Sequence, residues 1–563
     1  MLDVKTRGIL EQVLLIGLGL VTLVITPYNS IDPVNLPKLS MLAFFGIVAV
    51  SFIVPGFKDL IRSNFRMLVI FSVLFVVQLL LVLSFSGSGF GQQFYGVNGR
   101  NTGALAYFSL VFLLLGAAVI SDKNYLKKFT FVTLFLGLVL ILYGQIQYMG
   151  LEPFPFVNAY ASNVFGTFGN PNFMSAFMGL IAVVSFTMAL NTAFNLVARS
   201  GLILLGVASI VIVYETHAKQ GYLNFVAGVG TVAMLWLFMT KRKFLGTAVA
   251  GVGALGGGLV FLGLINAGPL AGYLYKASLE ARGFYWRAGI KMLIEHPFFG
   301  VGMDGYGDWY RRSRSIEDTL ISPGLVSNTA HNVFIDIASN GGFPLIAIYL
   351  AILGLVVASI VRVIKRSEGF DVYFVAIVGA WVAYQAQSFV SINQLGLAIW
   401  GWVLSGLIIG YEIHTRSVEV SESKVVNQKG RGRNAKISNQ PLSSATVVSL
   451  FAGVLIGAFA ALPPYIAATQ YYKALQSGNA TVIESAAYLK PFERMRFIQV
   501  ASLLRDNKLE ARAIVVVRDA AAKHPDSFEV WSLWASIASA TPADVANAKA
   551  QMKRLDPHNP DLK

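Results

Sequence analysis

Thirteen apolar runs, separated by short polar loops, occupy most of this chain, and no other feature narrows its fold so far. They lie at about 12–28, 38–55, 66–85, 103–121, 127–148, 172–190, 199–214, 221–239, 244–264, 341–362, 371–391, 395–413 and 446–467. Several windows exceed the roughly 18 apolar residues needed to cross a bilayer. Hydrocarbon offers backbone polar groups no partner, so each run is expected to close its own hydrogen bonds as a helix. Charged residues make up only 13% of the sequence, against about 25% in soluble domains. The expected fold is all-α, a polytopic membrane protein of about 12–13 transmembrane helices.

Loop charge sets the expected orientation. Lys58, Arg62 and Arg66 follow the second run, Lys123, Lys127 and Lys128 the fourth, and Arg199 the sixth. Lys241, Arg242 and Lys243 follow the eighth, and Arg362, Lys365 and Arg366 the tenth. Basic loops stay on the cytoplasmic side, which puts the N-terminus there as well. The same rule accounts for the net charge of +15. With no nucleic-acid module in the sequence, no nucleic-acid partner is expected. The large polar segment 265–340, between runs nine and ten, then faces outward. The chain has no cysteine, which excludes thiol catalysis, disulfides and cysteine-ligated metals.

Four parts follow along the chain: a membrane domain at 1–414, a basic cytoplasmic linker at 415–444, a further span at 445–467 and a tail at 468–563. The tail is expected outside. In it Lys490-Pro491, His524-Pro525 and Asn559-Pro560 recur at spacings of 34 and 35 residues between helical patterns. That period resembles tetratricopeptide helical hairpins, about two units of them. Such a tail either caps the membrane part or docks a protein partner.

Chemistry-bearing residues concentrate in and beside 265–340. His331 sits in Ala330-His331-Asn332, where the chain re-enters the membrane. An imidazole there either accepts a proton near pH 7 or serves as a structural group. Arg282 and Arg287 flank Phe284, Tyr285 and Trp286, and either snorkel to headgroups or clamp a phosphate through their planar forks. Lys219 and Gln220 stand at the outer mouth of the seventh and eighth runs, a costly depth for a cation. His296, Gly300-Val301-Gly302, Arg311, Arg312, Arg314, Asp304 and Asp308 are expected to be structural: turn and loop packing for the first four, solvated charges for the rest. No metal-ligand spacing appears, and no metal or cofactor is expected.

The stretch from Arg282-Gly-Phe-Tyr-Trp-Arg287 through Glu295-His-Pro-Phe-Phe-Gly-Val-Gly302, with Ala330-His331-Asn332 and Asn340-Gly-Gly342, resembles the signature of the O-antigen ligase and polymerase superfamily. That group includes lipopolysaccharide O-antigen ligases and bacterial O-oligosaccharyltransferases. Phe165-Gly-Thr-Phe-Gly-Asn-Pro-Asn172 and Gln387–Gln394 resemble further motifs of the group. The likeness covers roughly 10–414.

The resemblance implies a metal-independent transferase in the bacterial cytoplasmic membrane. It would move a glycan from an undecaprenyl-diphosphate carrier to a hydroxyl of an acceptor glycolipid, cell-wall polymer or protein at the outer face. His331 corresponds to the base. Arg282 corresponds to an arginine on the donor diphosphate, with Arg287, Lys219 and Gln220 beside it. Asn170, Asn172 and Asn332 would line the cavity. Two positions depart from the family pattern: Lys219-Gln220 replaces an arginine before Gly221, and Asn340 replaces an acid. Polymerase and protein-glycosylating activities are alternatives within the superfamily. A lipid-linked sugar transporter and a non-catalytic scaffold are alternatives outside it.

Overall fold

The computed structural model describes residues 2–155, 163–274, 277–425 and 441–562. Every one of the thirteen runs is a helix, and no strand occurs among the described residues. Eleven of these helices are long and apolar enough to cross a membrane. The other two, Ala104–Ile120 and Val372–Ser388, have 17 residues each. The middle of the expected linker, 426–440, lies outside the described residues.

The first helix spans Val4–Leu23, starting well before the expected residue 12. Lys5, Arg7 and Glu11 lie in its first turns, and two of these charges are compensated. Arg7 pairs with Asp122 at 2.6 Å, and Glu11 with Lys128 at 2.7 Å. Asp3 caps the helix by accepting from the Thr6 N–H, which satisfies an otherwise orphan donor.

Helices Pro171–Ala189 and Leu395–Arg416 lie at the centre of the bundle, whereas Lys243–Leu264 is almost wholly exposed on its periphery. Small residues permit the closest approaches, as membrane interfaces favour. A Cβ on Gly410 would sit 2.1 Å from the carbonyl oxygen of Ala118.

The tenth membrane helix, Val333–Arg366, is two helices joined at a kink, where Gly342 adopts φ 77° two residues before Pro344. Only glycine takes that conformation freely, and a side chain there would strike the Phe298 backbone. The expected run at 341–362 thus began at the kink. The turns from Val333 to Gly341 belong with the segment 265–340 and carry polar residues Asp336 and Asn340.

The segment 265–340 folds into helices Ala271–Leu274, Ala277–Glu295, Tyr306–Ser313 and Ile316–Ile321. Phe284, Tyr285, Met292, Val301, Tyr306 and Tyr310 form a small core of their own. The glycine motif is stitched to the kink: Val301 and Gly302 N–H donate to the Ser339 and Asn340 carbonyls, and Phe343 N–H to that of Pro297. Loop packing, as expected, is its role.

The tail builds helices Arg494–Asp506 and Glu510–Lys523, then Phe528–Ser536 and Pro542–Leu555, as two hairpins around an apolar core. Its contact with the outer segment corrects the expectation of a solvated charge cluster. Arg314 is 1% exposed and bonds both oxygens of the fully buried Asp556, at 2.9 and 2.8 Å. Arg312 meets Asp526 at 3.0 Å, Arg311 meets Glu529 at 3.4 Å, and Arg494 pairs with Asp308. Asp308 is likewise no solvated acid, and neither is Asp304, which is 4% exposed. Charges taken out of water need such partners, and each partner here lies some two hundred residues away in sequence.

Candidate functional site

The loop bearing His331 is wound around one carboxylate. Asp336, a turn inside the following helix, accepts the Ala330 N–H at 2.8 Å and the Thr329 hydroxyl at 2.5 Å. Thr329 Oγ1 in turn accepts the His331 N–H at 3.2 Å. Asn332 caps the helix, its Oδ1 accepting from Phe334 and Ile335 N–H. His331 itself adopts φ 51°, an uncommon backbone for a non-glycine residue and one held only by its surroundings.

The imidazole stacks on Tyr285 with ring centres 5.4 Å apart. Tyr285 packs edge-on against Tyr310, and its carbonyl accepts the Tyr306 hydroxyl. Burial pushes the His331 pKa down to about 4, helped by the positive charges of Arg282 and Arg100. At neutral pH the ring is therefore uncharged, with a lone pair available to a proton. His524 in the tail is also pushed down to about 4, first by burial. An unfolded histidine binds its proton near 6.5, whereas these two do so only near 4, so the folded state loses stability as pH falls through that window. Thermal unfolding of the reconstituted protein is expected to shift to lower temperature between pH 6.5 and 4. A flat melting temperature over that range contradicts a buried neutral pair.

Arg282 lies one turn before Tyr285 on helix Ala277–Glu295. It is half-buried and forms no ion pair with a carboxylate among the described residues. Burial lowers its pKa, yet a guanidinium stays charged at any physiological pH. Arg287 contrasts with it: its fork holds Asp318 at 2.6 and 3.1 Å and lies over Phe284.

A third cation, Arg100, was not singled out from the sequence. It comes from the loop before the fourth membrane helix, and its Nη1 donates to the Asn328 carbonyl. Its Nε lies 3.7 Å from Asp304, which also accepts the Val97 N–H and the Thr102 hydroxyl. A lone arginine in Gly96-Val-Asn-Gly-Arg100-Asn reads as a turn; only the fold carries it beside His331.

The remaining candidates sit on helix starts. Asn170 caps Pro171–Ala189 through the Asn172 N–H at 2.9 Å. Lys219 is exposed at the start of Gln220–Met239, and Gln220 is buried with its Oε1 unpartnered among the described residues. Gly221 presses against Ser175, whose hydroxyl accepts the Gly221 N–H and donates to Ala218. No hydrogen bond or ion pair among the described residues joins Lys219, Gln220, Asn170 or Asn172 to His331. The structure thus gathers His331, Arg282 and Arg100, with Asn332 holding the helix start. Asn340, where an acid was expected, accepts the Tyr306 N–H and donates to the Asp336 carbonyl. An amide does both; a carboxylate only accepts.

Residues 202–350 match the model of the O-antigen ligase family. This stretch is an O-antigen ligase domain. It takes in Lys219, Gln220, Arg282, Arg287, His331 and Asn332, while Arg100, Asn170 and Asn172 precede it. No curated protein matches the chain. The O-antigen ligase domain, set among many apolar helices, indicates a multi-pass bacterial membrane protein. A membrane glycan ligase-type function and lipid-linked glycan substrates go with that domain.

Proposed function

We propose that the protein transfers an oligo- or polysaccharide from an undecaprenyl-diphosphate carrier to an acceptor hydroxyl at the outer face of the bacterial cytoplasmic membrane. The N-terminus lies inside and the tail outside, as the basic even-numbered loops suggest. The observation that carries this reading is a half-buried guanidinium, without a carboxylate partner among the described residues, beside a neutral imidazole.

In the reaction the acceptor oxygen attacks the anomeric carbon. The bond from that carbon to the diphosphate breaks, and the lipid diphosphate leaves with the electron pair. The acceptor's proton passes to a ring nitrogen of His331. Arg282 neutralises the charge that develops on the leaving group, with Arg287, Lys219 and Gln220 supporting the diphosphate and Asn170, Asn172 and Asn332 shaping the cavity. No metal is required, since cations already stand where the charge grows. A bound diphosphate would offset Arg282 and Arg100, so the imidazole becomes a stronger base once the donor is in place.

The acceptor is a glycolipid, a cell-wall polymer or a protein, and ligation is favoured over polymerisation. Transfer by the purified protein with lipid-diphosphate glycan, in the absence of any ion gradient, tests the enzyme against a transporter. Translocation without bond cleavage would overturn the reading. Arg282→Ala is expected to raise the donor KM roughly 10- to 100-fold, the equivalent of losing a charge-assisted hydrogen bond. Arg282→Lys should recover only part of this, because a point charge lacks the fork. An effect confined to the acceptor would remove Arg282 from the donor site.

A further inference from the structure

A cleft lies where the tail meets the outer rim of the membrane domain, with an empty volume of about 760 Å³, its mouth included. Ser30 and Asp32 reach it from the loop after the first membrane helix, Asn101 from the loop carrying Arg100, and Arg496 and His524 from the tail. One polar atom of each is buried without a hydrogen-bond partner among the described residues: Ser30 Oγ, Asp32 Oδ2, Asn101 Oδ1, Arg496 Nη1 and His524 Nε2. Ser30, Asn101 and Arg496 are at most 5% exposed. Native interiors rarely leave such groups unsatisfied, and here five of them belong to residues that line one space.

The rest of their bonding is in order. Asp32 Oδ1 accepts the Val34 and Asn35 N–H groups, and Arg496 Nη2 donates to the Pro491 carbonyl. The free atoms are therefore surplus to the fold. They include two acceptors (Asp32, Asn101), one donor (Arg496), and two groups able to do either. An anion could take up Arg496 but would leave the acceptors Asp32 and Asn101 empty. A polyhydroxylated neutral molecule satisfies both kinds, since each hydroxyl donates and accepts. Tyr95 and Tyr471 supply aromatic surface to the same cleft.

We propose that this cleft binds one sugar unit of the glycan substrate, with Asp32, Asn101 and Arg496 as its hydrogen-bonding groups. The proposal rests on the glycan-transfer reading above. It places the subsite next to the His331 loop, because residue 101 adjoins Arg100, which bonds Asn328. It also gives the tail a function: Tyr471, Arg496 and His524 belong to the wall that the tail adds to the subsite.

The test uses the full-length protein in lipid nanodiscs and saturation-transfer NMR with free glucose, galactose, mannose, rhamnose, N-acetylglucosamine and N-acetylgalactosamine. At least one sugar is expected to bind the wild type and His331→Ala equally. Binding should weaken 10-fold or more in Asp32→Asn, which keeps the Oδ1 cap, and in Arg496→Met. Should Arg496→Met fail to fold, Asp32→Asn and Ser30→Ala decide alone. No binding by any of the sugars overturns the proposal, as does binding that survives the cleft substitutions or yields only to inorganic phosphate. Glycan transfer at the wild-type rate by Asp32→Asn, with sugar binding unchanged, removes the cleft and leaves the enzyme standing. Sugar binding without any transfer does the reverse.

Discussion

His331→Ala is expected to lower the rate of glycan transfer by about 10²–10⁴-fold, the usual worth of a positioned general base, while the protein remains folded. The loop does not depend on the ring. Its hydrogen bonds run from the Ala330 N–H and the Thr329 hydroxyl to Asp336, and from the Phe334 and Ile335 N–H groups to Asn332. Alanine at φ 51° is somewhat less favourable than histidine, but these hydrogen bonds hold the loop, so the substitution removes the base and leaves its mount. Single-turnover transfer with purified donor and acceptor measures the chemical step. The ring's depressed pKa adds a second expectation: the acidic limb of kcat/KM, which reports the free enzyme, should fall near pH 4 rather than 6.5. The limb of kcat should lie higher, because bound diphosphate offsets the two arginines. Wild-type turnover in His331→Ala, or a kcat limb below that of kcat/KM, contradicts the assignment.

Asp556→Ala carries the largest expected effect on stability. It would leave the Arg314 guanidinium buried without its bidentate carboxylate, and breaking a buried pair from one side costs about 3–5 kcal/mol. Arg314 would keep only its bonds to the Pro323 and Leu325 carbonyls. Hydrogen exchange should show residues 306–325 and 542–555 opening together, with faster proteolysis of the tail. Replacing both partners, as in Arg314→Met with Asp556→Leu, should restore much of the loss, since a matched apolar pair is often no worse than a buried ion pair. Unchanged exchange in Asp556→Ala would mean that the tail is held elsewhere.

These residues show where sequence reasoning stops. Long apolar runs have one solution in lipid, so all thirteen helices were legible, and the glycine motif was rightly assigned to packing. Boundaries slipped where charges were compensated. The first helix takes in Arg7 and Glu11, which Asp122 and Lys128 neutralise. The kink at Gly342 hid the turns that carry Asp336. Arg314 and Asp556 stand 242 residues apart, and no local pattern announces a pair of that separation. Arg282 and His331 were singled out by residue type and place in the polar segment, and their expected roles came from motif likeness. Arg100 was not, since only the fold brings its loop to Asn328.

The central claim is that Arg282 holds the donor and His331 takes the acceptor's proton. Equilibrium capture of a labelled undecaprenyl-diphosphate glycan by nanodisc-embedded wild type, His331→Ala and Arg282→Ala tests it most directly. The account predicts capture by His331→Ala within about threefold of wild type, and roughly 10- to 100-fold weaker capture by Arg282→Ala. Equal capture by all three proteins, or capture lost with His331 alone, would contradict it.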